Sequence, residues 1–250
     1  MAPDREPQLS DSLCNEMLKK DGWMVRNTFS FDQKGPSDFW YIIKDTFEGL
    51  DELSSNVRRK IRRAEELFEY KKIEYQTIKD FGFPIIEATF KDYKVKDRSM
   101  NKEVFSDYLD YCAKGEFDYW GIFERGNQKL VGFSTVHLWE NACEYEITAI
   151  WPEYLRNSSY PYYGLYQRMN EYYLSERKFK YVSDGSRSVT EHSNIQPFLE
   201  QNFKFRKAYC KLKIHYKWWF GAIVRALYPF RGLIWSRNVK AVLRMHGMQS

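Results

Sequence analysis

Between Phe117 and Trp151 the chain reads FDYWGIFE, KLVGFSTVHLW and CEYEITAIW, three apolar, β-branched and aromatic runs separated only by ERGNQ and ENA. Runs of this length and composition suit strands, and connections this short leave no room for a crossover helix, so each strand has to turn back beside its predecessor. An antiparallel meander follows, and an all-helical or purely parallel architecture is excluded. Before it, FWYIIKD (39–45) predicts a buried strand, and DELSSNVRRKIRRAEELFEY predicts an amphipathic helix because Leu53, Val57, Ile61, Ala64 and Phe68 recur at helical spacing. KKIEYQTI reads as a strand and MNKEVFSDYLDYCAKG as a helix closed by Gly115. After the meander, Pro161 suits the first turn of a helix with Leu165, Met169, Tyr172 and Tyr173 as its inner stripe. KYVSD is a short strand, 195–202 a short helix and FRKAYCKLKIHY the last strand. The order predicts an α+β fold, a mainly antiparallel central sheet flanked by helices.

Composition fits a folded chain. Of 250 residues, 43% are hydrophobic and 18% aromatic, ample surface to bury. The first residues, 1–12, read as a loose tail, 13–216 as one domain and 217–250 as a basic, aromatic helical extension. A net charge of +5 favours anionic ligands such as a nucleotide, phosphate or an acidic membrane without demanding nucleic acid. Cys14, Cys112, Cys143 and Cys210 are far apart and form no CxxC, a reduced, cytoplasmic pattern with no zinc site. No leader pattern of basic then apolar residues opens the chain. The stretch WWFGAIVRALYPFRGLIW is interrupted by Arg225, Pro229 and Arg231, so it is not read as a span. It either packs as a helix pair broken near Tyr228, or makes peripheral membrane contact through 217–237.

Two segments carry a family likeness: AIWPEYLRNSSYPYYGL, 149–165, and NIQPFLEQNFKFRKAY, 194–209. Together they resemble the acyl-CoA N-acyltransferases of the GNAT superfamily, best over 117–216. LSSNVRRKIRRAE in the N-terminal half is similar to the basic helix of Fem-type aminoacyl transferases. The resemblance implies a GNAT-like fold, acetyl-CoA or another acyl-CoA as co-substrate, no metal, and an amine acceptor that is a small molecule or a cell-envelope precursor. It implies that two strands splay apart, that the backbone at Thr148 and Ile150 receives the pantetheine arm, and that Arg156, Asn157, Ser158 and Ser159 surround the pyrophosphate at the start of the Pro161 helix. A helix start offers unpaired N–H groups and a positive dipole end. Asn194, in the polar HSN group, would reach the cofactor. The chain departs from the family in two places. The loop glycines of R/Q-x-x-G-x-G/A are replaced by Asn157, Ser158, Ser159, Tyr160 and Pro161, and the usual acid tyrosine is matched by Leu199 or Glu200.

An amine acceptor must lose a proton as it attacks, which calls for a base within reach. Strand alternation in CEYEITAIW puts Glu144 and Glu146 on one face, where like charges raise each other's pKa. Glu146 is the first candidate base, Glu144 the second, and His192 a further base or acid; a solvent-facing acidic pair is the alternative. Arg62 is expected to pair with Glu66 at i,i+4, leaving Arg58, Arg59 and Lys60 to grip phosphate or face solvent. Lys207, Lys211, Lys213 and His215 share one face of the last strand. Three functions stand open: an acyl-CoA N-acyltransferase, a Fem-like transferase using aminoacyl-tRNA, and a non-catalytic GNAT-like binding module.

Overall fold

The computed structural model describes residues 2–20, 22–92, 100–189 and 195–249. The chain forms two compact units, one of Met1–Ile42, Ser186–Ser193 and Lys207–Ser250, the other of Ile43–Gly185 and Asn194–Arg206. The sequence reading, one domain over 13–216 with an extension, divides differently because the first strand pairs with the last.

The larger unit carries the meander. Helix α2 (Ser55–Leu67) starts where the Ser54 hydroxyl accepts from Val57 N–H at 3.3 Å, and it buries Val57, Ile61 and Ala64. Strand β3 (Phe68–Ile73) leads into helix α3 (Tyr75–Asp92). The strand expected over KKIEYQTI therefore stops at Ile73, where its ladder to the next strand ends, and Tyr75 already belongs to a helix. Helix α4 (Lys102–Lys114) is capped by Asn101, which accepts from Val104 N–H at 2.8 Å. Strands β4 (Phe117–Glu124), β5 (Leu130–Leu138) and β6 (Ala142–Ile150) form the expected meander. A short helix α5 (Pro152–Arg156) and helix α6 (Pro161–Asn170) follow, then β7 (Tyr181–Ser186) and helix α7 (Ile195–Phe203). The strand order is β7-β6-β5-β4-β3, with β7 parallel to β6 and the others antiparallel.

One sheet face is covered by α3 and α4: Ile78, Ile85 and Ile86 meet Phe105, Leu109 and Cys112 over Tyr119, Phe133 and Ala149. On the same unit, Tyr173 Oη donates to Asp118 at 2.9 Å and accepts from Trp120 Nε1 at 2.9 Å, while Lys72 reaches Asp118 at 2.6 Å. The chain thus satisfies a buried carboxylate with one cation and one hydroxyl.

The smaller unit holds helix α1 (Asp11–Lys20), β1 (Met24–Phe29), most of β2 (Phe39–Lys44), β8 (Arg206–Tyr216), and helices α8 (Trp218–Leu227) and α9 (Arg237–Gly247). β1 pairs antiparallel with β8 from Met24↔Tyr216 to Phe29↔Lys211. The segment expected as a loose tail is docked instead. Asn27 accepts from Leu9 N–H and donates to Pro7 O, both at 2.9 Å, and Glu6 bonds Thr28. The lysine face of β8 is similarly engaged: Lys213 pairs with Asp11 at 2.8 Å, and Lys207 lies over the Trp40 ring. Residues 228–230 form a tight turn around Pro229, which ends α8 as proline requires.

Candidate functional site

The ladder between β6 and β7 runs from Ala142↔Tyr181 to Glu144↔Ser183 and ends there. Just beyond it the β5–β6 register shifts, Thr135 facing Ile147 and Val136 facing Tyr145, so Glu146 is the extra residue of a bulge. A bulge re-aims its side chain and leaves it outside the regular ladder. Glu146 lies 3.4 Å from each of three polar groups: Tyr108 Oη and Tyr111 Oη on α4, and His137 Nδ1 on β5. Tyr108 Oη also meets Thr135 Oγ1 at 2.5 Å, and Thr135 Oγ1 accepts from Ile147 N–H at 3.2 Å, which ties the tyrosine to the bulge itself. His137 is stacked on Phe117, rings 4.7 Å apart and 4° from parallel.

The electrostatics of this cluster favour a proton acceptor. Burial raises the Glu146 carboxyl above its ordinary value, and the two tyrosine hydroxyls pull it only partly back. Burial also raises both tyrosines and lowers His137, so these neighbours stay neutral at neutral pH. With 20% of its side chain exposed, Glu146 is reachable from solvent. Contacts at 3.4 Å are long for hydrogen bonds and hold the carboxylate loosely.

Glu144 has different company. It lies against Gly185, where an added Cβ would come within 3.2 Å of Oε1, and its charge joins burial in raising Asp184. The like-charge repulsion expected from alternation is not among the causes of the Glu146 shift, which burial produces. Thr148 shares a hydroxyl contact with Ser134 at 2.9 Å. Ile150 N–H donates to Thr89 Oγ1 at 3.2 Å, and its carbonyl lies 3.0 Å from the same hydroxyl. Both backbone groups of Ile150 thus meet the Thr89 hydroxyl of α3.

In the loop before α6, Arg156 pairs with Asp92. Asn157 accepts from Ser159 N–H at 3.2 Å, and the Ser159 hydroxyl, itself buried, donates to Tyr154 O at 2.5 Å. Ser158 and Tyr160 both adopt left-handed backbone, φ 56° and 55°. These are conformations glycine takes without cost, so the loop keeps a glycine-like path with side chains attached. His192, Ser193 and Asn194 lie outside the described residues.

Next to that loop, Arg59, Arg62 and Arg63 of α2 with Glu66, Ser158 and Tyr160 line an open depression of about 580 Å3. Glu66 takes Arg63, the i,i+3 neighbour, at 3.0 Å, where the sequence pattern pointed to Arg62. Lys60 is not left for phosphate: it donates to Tyr163 Oη at 2.9 Å and sits over the Tyr160 and Tyr163 rings. Sequence reasoning passed over His137, Tyr108 and Tyr111. The signal for His137 was the alternation of β5, which pairs it with Glu144; nothing local marks the tyrosines, since α4 carries them to the site from 35 or more residues away.

No family model matches the sequence, and no curated protein matches it. Solved structures do. FemX superposes with a TM-score of 0.54 at 11% identity, over 80% of this chain and 66% of its own, so the chain spans just under two thirds of FemX. L-PGS from Bacillus licheniformis superposes with a TM-score of 0.50 at 12% identity, over 94% of this chain and 70% of its own. A GNAT-family acetyltransferase from Bacillus anthracis aligns over 45% of this chain with a TM-score of 0.33. The likeness to FemX and L-PGS is one of fold, and it spans most of this chain in both cases.

Proposed function

We propose that this protein transfers an acyl group from an activated, phosphate-bearing donor to an amine, with Glu146 as the general base. The observation that carries the reading is the position of Glu146: a burial-raised carboxyl on a bulge, two residues past the point where β6 parts from β7, ringed by neutral Tyr108, Tyr111 and His137. As the amine attacks the acyl carbonyl, Glu146 takes its proton, directly or through one water, and the donor's leaving group departs. His137 and the tyrosines hold the carboxylate in place.

The first donor to test is acetyl-CoA or a longer acyl-CoA, with the pantetheine along Thr148 and the diphosphate near Ser158 and the start of α6. Isothermal titration against a chain-length series of acyl-CoAs is the direct measurement; no heat with any of them removes the CoA-dependent form. A second donor, aminoacyl-tRNA, is favoured by a specific observation. Thr89 engages the Ile150 backbone, the loop carries no close-approach glycine, and three arginines line the neighbouring depression. Binding through those arginines would fall steeply with salt, about 0.7–0.9 log units per phosphate contact for each tenfold rise. Filter binding of tRNA to the wild type and to Arg59→Gln/Arg62→Gln separates the two donors. Absence of turnover with both, across a panel of amines, would leave a binding module on a transferase fold.

A further inference from the structure

The C-terminal helices bury one set of side chains and leave another in solvent. Val224, Leu243 and Met245 face inward, while Trp218 is 83% exposed, Trp235 95%, Leu233 75% and Phe230 58%. Packing of the extension on its unit uses Trp219 and Phe220, whose rings meet Trp23, and leaves these four large apolar groups outside. Between α8 and α9, together with Trp23 ahead of β1, runs an apolar groove of about 460 Å3 lined by Phe220, Ile223, Leu227, Val239 and Val242.

Charge says what covers this surface. No Asp or Glu occurs after Glu200, while 217–250 carry Lys217, Arg225, Arg231, Arg237, Lys240 and Arg244. Among them Arg225, Arg231 and Lys240 are solvent-exposed. Tryptophan beside cations is the composition of a membrane interface, where the indole sits at headgroup level and the cation meets lipid phosphate. A nucleic acid would satisfy the cations but offers nothing to Leu233, Ile223 or the apolar groove. Among the described residues no helix is long and apolar enough to cross a membrane, so the contact is peripheral.

We infer that the α8–α9 extension docks this protein on an anionic phospholipid surface, with Trp218, Phe230, Leu233 and Trp235 entering the interface and the acyl region filling the groove. The inference is independent of acyl transfer, since its readout is binding.

The test is flotation of the full chain with vesicles of phosphatidylcholine alone and with phosphatidylglycerol added, at low and physiological salt. Wild type is expected to float with the anionic vesicles and not with the neutral ones. Arg231→Gln/Lys240→Gln should weaken binding roughly fivefold per cation removed. Trp218→Ala/Trp235→Ala, at sites too exposed to matter for folding, should weaken it on the order of tenfold or more. No association with anionic vesicles at low salt overturns the proposal. So does binding that the tryptophan variant leaves undiminished, and so does binding to tRNA with none to vesicles, which would assign the cations to nucleic acid.

Discussion

Glu146 is raised by burial and by nothing else of comparable size, which makes its pH behaviour a direct probe of its role. As a base it works only when ionised, so activity should rise with pH along a limb above the usual carboxylate range. Glu146→Gln should lose that limb and about 10²–10⁴-fold in kcat. Glu144→Gln, whose carboxylate leans towards Gly185 instead, should leave the limb in place. The same shift has a consequence for stability. A carboxyl whose folded pKa is raised contributes stability that is complete below the unfolded value and lost as pH rises through the folded one. Urea denaturation should therefore show Glu146→Gln gaining on the wild type between acid and neutral pH. A second residue-scale strain lies in the loop before α6. Ser158 holds φ 56°, a left-handed conformation that costs a non-glycine residue about 1 kcal/mol. Ser158→Gly should raise stability by roughly that amount, read as a shift of the denaturation midpoint.

Helix α3 decides how open the end of β6 is. The Thr89 hydroxyl lies 2.8 Å from Ile85 O and also serves both backbone groups of Ile150, all in a buried setting. Thr89→Val keeps the shape and orphans Ile150, so a loss of about 1–3 kcal/mol is expected in a denaturant titration. If Ile150 also belongs to the donor path, the same variant should change acyl-donor affinity, which a purely internal bond would not. Helix α6 is held at an equally close approach. A Cβ on Gly164 would stand 2.4 Å from the ring of Tyr70, whose hydroxyl is buried. Gly164→Ala should cost about 1–3 kcal/mol through overpacking. The glycine nearest the loop before α6 thus serves contact between α6 and β3, which spacing alone could not distinguish from contact with a phosphate.

Taken as a whole molecule, the chain relies on packing without covalent staples. Cys14, Cys112, Cys143 and Cys210 are free and buried. Thiol reagents should label none of them until the protein unfolds, and reductant should leave the melting temperature unchanged; labelling under native conditions would show that a unit opens. The parts of this architecture legible in the residues were those written in local periodicity. The meander, the helices carrying Val57, Phe105 and Leu165, the break at Pro229 and the last strand all follow from side-chain spacing of two or near 3.6 together with turn and cap chemistry. Local signals failed where distant partners set the outcome. Pro7 and Leu9 are ordered by Asn27, and the pairing of β1 with β8 joins segments about 190 residues apart in sequence. The site divides the same way. A carboxylate pair on β6 could be read from alternation, because alternation is a property of one strand. That Glu146 sits on a bulge, that α4 brings two tyrosines to it, and that burial rather than Glu144 raises it are properties of the packed sheet, since register, helix placement and desolvation exist only once the strands and helices have assembled.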